Sequence, residues 1–424
     1  MRPLDKVIGY NPIKKELYRI IDVLNNPDKY KKIGARIPRG VILEGRPGIG
    51  KSLMAMCVME ECKRTSYIIR KDRPDGRFVD YIRKIFEEAA KNEPSIILLD
   101  DIDKFANEDY IHCDTEEYVT VQTCIDDVKN NDVFVIATAN DIRFLPESLL
   151  RSGRFDKKFH MDFPKGEDAK KIIEYYLKDK MCDSNVDAEE ITRFSSGYSC
   201  ADMESVVNDA GLYAAYEDRS MISQDDLKRA CLRKFYKISG DDCDVSEDVL
   251  KSRVIHEAGH AVIAELRDPG TVNFVSVSTK TTGKVGGFIS RDCGDGYHME
   301  FKNDETEIMV LLAGKAATEI VLGKIDMGSN SDMHKAFDRV RSILDDHVSY
   351  DFNSWCHGRE TSQMVFDHLD SVTGAEVSRY YIKTKELLIK NRSFLDTIIE
   401  RLMDKKVLSY KDIVQIRAEG GFSI

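Results

Sequence analysis

The stretch GVILEGRPGIGKSLMAM, residues 40–56, joins an apolar run, a glycine-rich loop and a helix-forming run in direct succession. Residues 45–52 fit the pattern GxxxxGK[ST], in which backbone N–H groups wrap phosphates, the lysine reaches the terminal phosphates and the hydroxyl binds magnesium. Because a strand and a helix flank the loop as the motif requires, the pattern predicts a phosphate-binding loop rather than a glycine-rich turn with a surface lysine. The predicted nucleotide-binding residues are Gly45, Pro47, Gly48, Ile49, Gly50, Lys51, Ser52 and Leu53.

Two further apolar runs end in polar residues. SIILLDD, residues 95–101, ends in Asp100 and Asp101, and DVFVIATAN, residues 132–140, ends in Asn140. We expect Asp100 to hold Mg²⁺ through water and Asp101 to orient the attacking water, while Asn140 is placed to sense the γ-phosphate. The alternative for the acidic pair, a strand that runs into an acidic turn, is weak beside the phosphate loop.

LLRSGRFD, residues 149–156, sets Arg151 and Arg154 around a glycine turn. Two arginines in this arrangement suit arginine fingers, which act on the nucleotide of a neighbouring subunit. Ordinary surface charge is the alternative interpretation.

A different chemistry is indicated by HEAGH, residues 256–260, within the apolar stretch VIHEAGHAVIAEL. On a helix, His256 and His260 lie on one face one turn apart, which suits two zinc ligands, with Glu257 as the general base. The alternative is a pair of core histidines satisfied by hydrogen bonds. A catalytic zinc typically needs a third protein ligand, and spacing alone leaves Glu319, Asp332 and His334 open.

Between these two motifs, apolar residues recur at helical spacing from about residue 168 to residue 237, and the acidic stretch YKISGDDCDVSED breaks that periodicity. We therefore predict an α/β nucleotide-binding part at 1–165, a helical lid at 166–238, a linker at 239–246 and a zinc peptidase part at 247–424.

Composition narrows the remaining classes. With a net charge of −11 the chain is not expected to bind nucleic acid, and none of its apolar runs reaches the ~18 residues of a membrane span. Ten scattered cysteines without a CxxC pair argue against a zinc ribbon or a disulfide framework and favour a reducing cytoplasm.

Taken in order, IPRGVILEGRPGIGKS, IILLDDID, IATAN and LLRSGRFD resemble the AAA+ ATPase module, and GYSCADMESVVNDAGLYAA resembles its helical lid. HEAGHAV, LLAGKAATEIVLG and MGSNSDMHKAFDRV together resemble the peptidase domain of FtsH-type AAA+ zinc proteases. The resemblance implies a multidomain fold, with a parallel α/β sheet domain and helical lid followed by a mostly helical peptidase domain. It also implies ATP, Mg²⁺ and Zn²⁺ as cofactors, polypeptide substrates and a homohexameric ring.

The resemblance also assigns residues. The third zinc ligand maps to Asp332, and Glu319 then falls on a family glutamate with a supporting role. VGGFISR, residues 285–291, resembles the strand beside the active-site cleft, where it either pairs with an extended substrate or is a plain sheet strand.

Three departures from the family shape the expectations. The membrane-spanning N-terminal part usual in the family is not in this sequence, so we expect a cytoplasmic protein, either a soluble relative or the cytosolic portion of a membrane-attached form. The family's pore loop grips substrate with an aromatic, an apolar residue and a glycine. The matching region here, RKDRPDGRFVDYIRKIFEEA, residues 70–89, is shortened and lacks that triplet, and Phe78 is the nearest aromatic candidate for threading. Asp101 stands where the family prefers glutamate, which predicts slow ATP hydrolysis.

These observations predict an ATP-dependent zinc metalloendopeptidase. A chaperone-like, nucleotide-gated ATPase with a vestigial peptidase domain is the alternative that the altered pore loop favours, and an ATP-independent peptidase is a third.

Overall fold

A computed structural model describes residues 2–71, 77–106, 116–237, 246–277, 287–291, 301–323, 330–346 and 363–420. The chain forms two compact units, Met1–Ala188 with Gly197–Leu227, and Glu189–Ser196 with Lys228–Ile424. Among the described residues, no helix combines the length and apolar character that crossing a membrane requires.

The first unit is built around a parallel sheet with the strand order β2-β3-β4-β1-β5. Its strands are β1 (Gly40–Gly45), β2 (Thr65–Ile69), β3 (Ser95–Leu99), β4 (Val133–Ala139) and β5 (Lys157–Met161). Every residue of β3 and β4 is buried, as expected of central strands that helices cover on both faces.

Two hydrophobic clusters lie on the opposite faces of this sheet. Val135 and Ala137 of β4 enter one cluster, whereas Phe134 and Ile136 enter the other, because successive side chains of a strand alternate between faces. The helices in this part of the chain are α1 (Asn11–Asn25), α2 (Pro27–Lys31), α3 (Lys51–Glu61), α4 (Phe78–Lys91), α5 (Glu116–Asp127), α6 (Gly166–Leu177), α7 (Ala188–Phe194), α8 (Cys200–Tyr216) and α9 (Gln224–Tyr236).

The second unit is mostly helical. Besides most of α7 and of α9, it contains the helices α10 (Glu247–Arg267), α11 (Phe301–Leu322), α12 (Asn330–Asp346), α13 (Gln363–Lys390), α14 (Arg392–Lys405) and α15 (Tyr410–Glu419). A small antiparallel sheet, ordered β7-β6-β8, contains β6 (Val272–Val277), β7 (Gly287–Arg291) and β8 (Val407–Ser409). The parallel α/β part and the mostly helical last part confirm the predicted fold class.

Helices α10 and α11 pack closely because Gly259 has no side chain. A Cβ atom at this position would lie 2.5 Å from the carbonyl oxygen of Ala313 and 2.6 Å from Cβ of Ala317. The glycine inside the HEAGH motif therefore sets the distance between α10, which carries the two histidines, and α11.

Candidate functional site

The loop between β1 and α3 holds a backbone conformation that demands glycine. Gly45, Gly48 and Gly50 all have positive φ, at 146°, 76° and 95°. A Cβ atom on Gly45 would lie 2.1 Å from the carbonyl oxygen of Met161, so this position has no room for a side chain. Helix α3 begins at Lys51, directly after the loop, and its first N–H groups have no partner within the helix. The loop and helix start therefore present backbone N–H groups in an arrangement that suits an anion.

Three neighbours in this loop contribute differently. Ile49 is fully buried and packs the loop onto the core, whereas Pro47 is exposed and Leu53 is half exposed on the first turn of α3. The structure thus places Ile49 as support, and Pro47 and Leu53 at the surface beside the loop.

Lys51 is buried inside the loop that would wrap the phosphates. Its Nζ donates hydrogen bonds to the carbonyl oxygens of Gly45 at 2.7 Å and Arg46 at 2.9 Å, and to Oδ1 of Asn140 at 3.0 Å. Burial lowers the pKa of Lys51, and nearby Asp101 opposes this. The residues that were expected to contact the γ-phosphate, Lys51 and Asn140, are therefore in direct contact with each other.

Asp100 lies at the end of β3 beside the hydroxyl predicted to bind magnesium. Its Oδ1 accepts hydrogen bonds from Ser52 Oγ at 2.7 Å and from Thr138 Oγ1 at 2.8 Å. Burial would raise the pKa of Asp100, but hydrogen bonds from Ser52, Thr138 and Arg70 outweigh it and lower the pKa. Ser52 and Asp100 thus present a hydroxyl and an ionised carboxylate side by side, the oxygen donors that Mg²⁺ prefers.

Asp101 has an unusual backbone. Its φ of 55° and ψ of 53° are left-handed, and its N–H donates to Thr138 Oγ1 at 2.8 Å. The carboxylate accepts a hydrogen bond from Lys104 Nζ at 2.7 Å. The carboxylate that was predicted to orient water is therefore engaged by a lysine three residues along the chain.

The two predicted finger arginines have different surroundings. Arg154 donates to Asp126 at 2.7 Å and to Gln122 at 3.2 Å, and also to the carbonyl oxygen of Ser148. Arg151 is exposed. Arg154 is thus held by α5 of its own chain, while Arg151 is presented at the surface.

Sequence reasoning missed two contacts to the phosphate loop. The N–H of Ala201, at the start of α8, donates to the carbonyl oxygen of Gly48 at 3.1 Å, and Tyr10 Oη donates to that of Ile49 at 3.2 Å. Ser199 and Asp202 form a capping box at this helix start, and that S-x-x-D spacing is the signal that marks it in the sequence.

The second site brings together three residues from two helices. His256 Nε2 and His260 Nε2, one turn apart on α10, are 3.0 Å from each other. Asp332, in the first turn of α12, places its Oδ2 3.2 Å from His256 Nε2 and 3.5 Å from His260 Nε2. One donor atom from each residue lies within 4.8 Å of the others, the sole such group of histidine, cysteine and carboxylate residues in the described part of the chain.

The histidine orientations suit a cation. Nδ1 of His260 lies 2.5 Å from the carbonyl oxygen of Val310, so this nitrogen carries the proton and Nε2 presents its lone pair. That lone pair faces a second imidazole nitrogen and a carboxylate, an arrangement that only a proton or a cation stabilises. Two imidazoles and one carboxylate are a donor set for catalytic zinc, and a carbonyl on the far nitrogen is the usual orienting contact. The residues present therefore fit zinc.

Gly314 makes room for the first histidine. A Cβ atom on Gly314, in α11, would lie 2.4 Å from Cε1 and 2.5 Å from Nδ1 of His256. Nδ1 itself is buried and has no hydrogen-bond partner among the described residues. The ring of His256 is therefore positioned by close packing against the α11 backbone.

Glu257 lies next to this triad in a dry environment. It is 7% exposed, and burial raises the pKa of Glu257 to about 7, against an opposing effect of His256. A Cβ atom on Gly287, the first residue of β7, would lie 2.7 Å from Cγ of Glu257. The carboxyl group thus lies against the strand backbone, and a pKa near neutrality suits a group that accepts and returns a proton.

The other candidate ligands lie elsewhere. Glu319 accepts hydrogen bonds from Tyr381 Oη and from Lys385 Nζ, the latter at 2.9 Å, and so faces α13. His334 is exposed on α12.

The threading hypothesis for Phe78 is wrong. Phe78 is buried, 8% exposed, and packs edge-on against Phe105 with ring centroids 4.9 Å apart. It belongs to the core of the first unit, since the helix pattern that begins at residue 78 places this ring on the inward face of α4. Residues 72–76 of the region that matches the pore loop lie outside the described residues.

Comparison with known families gives three matches along the chain. Residues 41–163 match the ATPase family associated with various cellular activities (AAA), residues 185–229 match the AAA+ lid domain, and residues 245–416 match peptidase family M41. The phosphate loop lies in the first match, and the histidine pair and Asp332 lie in the third.

Curated relatives extend over both parts. The chain is 28% identical to the ATP-dependent zinc metalloprotease FtsH of Helicobacter felis, over 97% of this chain and 69% of that protein. It is 27% identical to FtsH 2 of a Thermoanaerobacter species, over 96% of this chain and 81% of that protein. Against FtsH of a Sulfurovum species the identity is 31%, over 81% of this chain and 53% of that protein.

The chain belongs to the FtsH-type family of AAA+ zinc metalloproteases. This confirms the resemblance drawn from the motifs. Within this FtsH-type chain, the domain limits given above remain predictions, since residues 238–245 of the linker region lie outside the described residues.

Proposed function

We propose that this chain is an ATP-dependent zinc metalloendopeptidase, in which ATP hydrolysis by the AAA+ part moves polypeptide to a zinc centre in the M41 part. The observation that carries the proposal is the convergence of His256, His260 and Asp332, with buried Glu257 beside them, in a chain that also contains a complete phosphate loop. The chaperone-like alternative gains no support, because a set of three zinc donors is present.

In the peptidase reaction, His256, His260 and Asp332 are the proposed zinc ligands. Bound zinc would polarise the scissile carbonyl and lower the pKa of water. Glu257, with its raised pKa, would take a proton from the attacking water and return it to the leaving amine. The contact of His260 with Val310 holds the imidazole so that Nε2 stays available.

In the ATPase reaction, the glycines and Lys51 would hold the phosphates, with Ser52 and Asp100 toward Mg²⁺. Bound magnesium would supply positive charge that neutralises the phosphates. Asp101 would orient the attacking water and Asn140 would contact the γ-phosphate from the end of β4. Lys51, which now donates to loop carbonyls and to Asn140, would turn its ammonium to the nucleotide.

The assembly proposed is a homohexamer in which Arg151 and Arg154 act on the nucleotide of the neighbouring subunit. Arg151 is the more readily available of the two, because it is exposed. Arg154 would first have to release Asp126 and Gln122.

Polypeptide is the proposed substrate. Among the described residues, strand β7 is an edge strand of its sheet and passes beside Glu257, which supports pairing with an extended substrate by β-augmentation. We also infer a reducing, cytoplasmic environment, because the six cysteines among the described residues are all free.

Casein degradation tests the proposal in three arms: with ATP, without ATP, and with Glu257→Gln in the presence of ATP. We expect degradation only in the first arm, and ATP hydrolysis preserved in Glu257→Gln. Degradation without ATP would favour an ATP-independent peptidase, and an inactive parent protein that still hydrolyses ATP would favour the chaperone-like ATPase.

A further inference from the structure

Arg70 joins the row of chemically active residues at the carboxyl edge of the parallel sheet. Strands β2 and β3 are neighbours, with Ile69 opposite Leu99, so residues 70 and 100 leave the sheet side by side. Arg70 Nε donates to Asp100 Oδ2 at 3.0 Å, and Nη2 donates to the same oxygen. A guanidinium therefore lies directly on the carboxylate proposed to serve magnesium.

This ion pair completes the hydrogen bonding of Asp100. Oδ1 is taken by the hydroxyls of Ser52 and Thr138, and Oδ2 by Arg70. Among the described residues, Arg70 is the one cationic side chain within ion-pair distance of Asp100. Its positive charge thus neutralises the buried carboxylate, as a magnesium ion would.

The two partners differ in their freedom to move. The side chain of Asp100 is 4% exposed, whereas that of Arg70 is 56% exposed. Lys71 anchors the backbone just beyond, because its Nζ donates to the carbonyl oxygen of Phe105 at 2.6 Å. When another cation replaces the guanidinium at Asp100, the exposed arginine side chain is therefore the partner that is free to move away.

We propose that Arg70 is an internal counter-ion that competes with magnesium at Asp100 and must be displaced when Mg²⁺–ATP binds. Two cations within a few ångströms repel each other strongly at a buried carboxylate. Binding of magnesium therefore has to replace the guanidinium, which raises the magnesium concentration that the site requires. The inference rests on the proposed ATP site and adds a residue that sets its metal dependence.

The test measures nucleotide affinity rather than turnover. For the full chain, the Kd of the fluorescent, non-hydrolysable nucleotide mant-AMPPNP is measured in EDTA and in saturating Mg²⁺. The ratio of the Kd in EDTA to the Kd in Mg²⁺ is then compared between variants. Removal of the competitor in Arg70→Ala should raise this ratio about tenfold, the scale expected for hydrogen bonds to a charged group. Arg83→Ala, which removes an exposed arginine from α4, is the charge-matched control and should leave the ratio unchanged.

Two further measurements keep the outcome clear. Arg70→Gln, which keeps most of the side-chain length, replaces Arg70→Ala if the latter fails a thermal-unfolding check. In an Asp100→Asn background, Arg70→Ala should leave the ratio unchanged, because the shared carboxylate is gone. An effect that persists there would reveal a general charge effect and overturn the proposal.

An unchanged or lowered ratio in Arg70→Ala would also overturn it, since a lowered ratio would mean that the arginine supports magnesium binding. Failure of the parent chain to bind the nucleotide under either condition would instead reject the proposed ATP site.

Discussion

Asp101 leaves β3 in the left-handed backbone region, with its carboxylate on Lys104 at 2.7 Å. Aspartate tolerates this backbone better than most residues do, because its short side chain hydrogen-bonds locally. The carboxylate of Asp101 is, however, the one proposed to orient the attacking water. A side chain shorter by one methylene draws that carboxylate back by roughly 1.5 Å, and misplacement on this scale slows a reaction strongly.

Asp101→Glu should therefore hydrolyse ATP faster than the parent, by about tenfold. Its melting temperature should fall slightly, because glutamate adopts the left-handed backbone region less readily than aspartate does. Steady-state ATPase assays and thermal unfolding measure the two effects. Asp101→Asn, which removes the carboxylate charge, is the opposing control and should lose activity. An Asp101→Glu variant that hydrolyses ATP no faster would contradict the proposed role of the shortened side chain.

Gly314→Ala should remove zinc from the peptidase site, because the new methyl would lie 2.4–2.6 Å from three atoms of the His256 ring. We expect substoichiometric zinc by elemental analysis and a loss of casein cleavage of at least about a hundredfold, the scale of a misplaced catalytic group. Gly374→Ala is the matched control in α13, where a Cβ atom meets no heavy atom within 4 Å. A Gly314→Ala variant with full zinc content would show that the packing against α11 does not position His256.

Among the elements, the turn between α8 and α9 depends on one buried carboxylate. Asp226, in the first turn of α9, accepts hydrogen bonds from both terminal nitrogens of Arg219, at 2.6 and 2.5 Å, and from the N–H of Ser223 at 2.9 Å. These contacts tie the end of α8 to the start of α9. The Arg219 guanidinium holds the pKa of Asp226 at about 2, against the opposing effect of burial.

A lowered folded-state pKa contributes stability that is complete above the ordinary carboxyl pKa and is lost as the pH falls through the folded value. Asp226→Asn should therefore be less stable than the parent by about 2 kcal/mol at neutral pH, and the difference should shrink as the pH falls from about 4 towards 2. Denaturant unfolding across this range measures it. Asp225→Asn, at the exposed neighbouring position, should show little change, and a pH-independent difference for Asp226→Asn would mean that the ion pair is not its source.

Over the whole molecule, the two chemistries are carried by separate compact units, each with its own hydrophobic core. The phosphate loop and its strand-end partners lie in the first unit, and the three proposed zinc donors lie in the second. Metal removal at one site therefore need not disturb the folding of the other.

Treatment with a zinc chelator that spares magnesium should abolish casein degradation while leaving at least about half of the ATP hydrolysis, and added zinc should restore cleavage. Parallel assays of both activities on the same sample measure this. Equal loss of ATP hydrolysis would show that zinc supports the ATPase as well, contrary to the separation of the two cores.

Local patterns in the sequence were enough to predict the two sets of motifs that carry the chemistry. The phosphate loop and the HEAGH helix are contiguous motifs, and their chemistry follows from residue types at fixed spacing, because backbone geometry over a few residues is set by local sterics. The parallel sheet was implied by the family resemblance that the ordered motifs carry. The family resemblance added Asp332, 76 residues beyond His256, which spacing alone could not separate from Glu319 and His334.

Only the tertiary structure decided what each charged side chain contacts. The ion pair of Arg154 with Asp126, the packing of Gly314 against His256 and the ion pair of Arg70 with Asp100 all join residues that no local pattern relates. These contacts depend on which strands are neighbours and how closely helices approach, quantities that arise from packing of the whole unit. The sequence by itself determined which chemistries are present, and the fold determined which residues stand within reach of them.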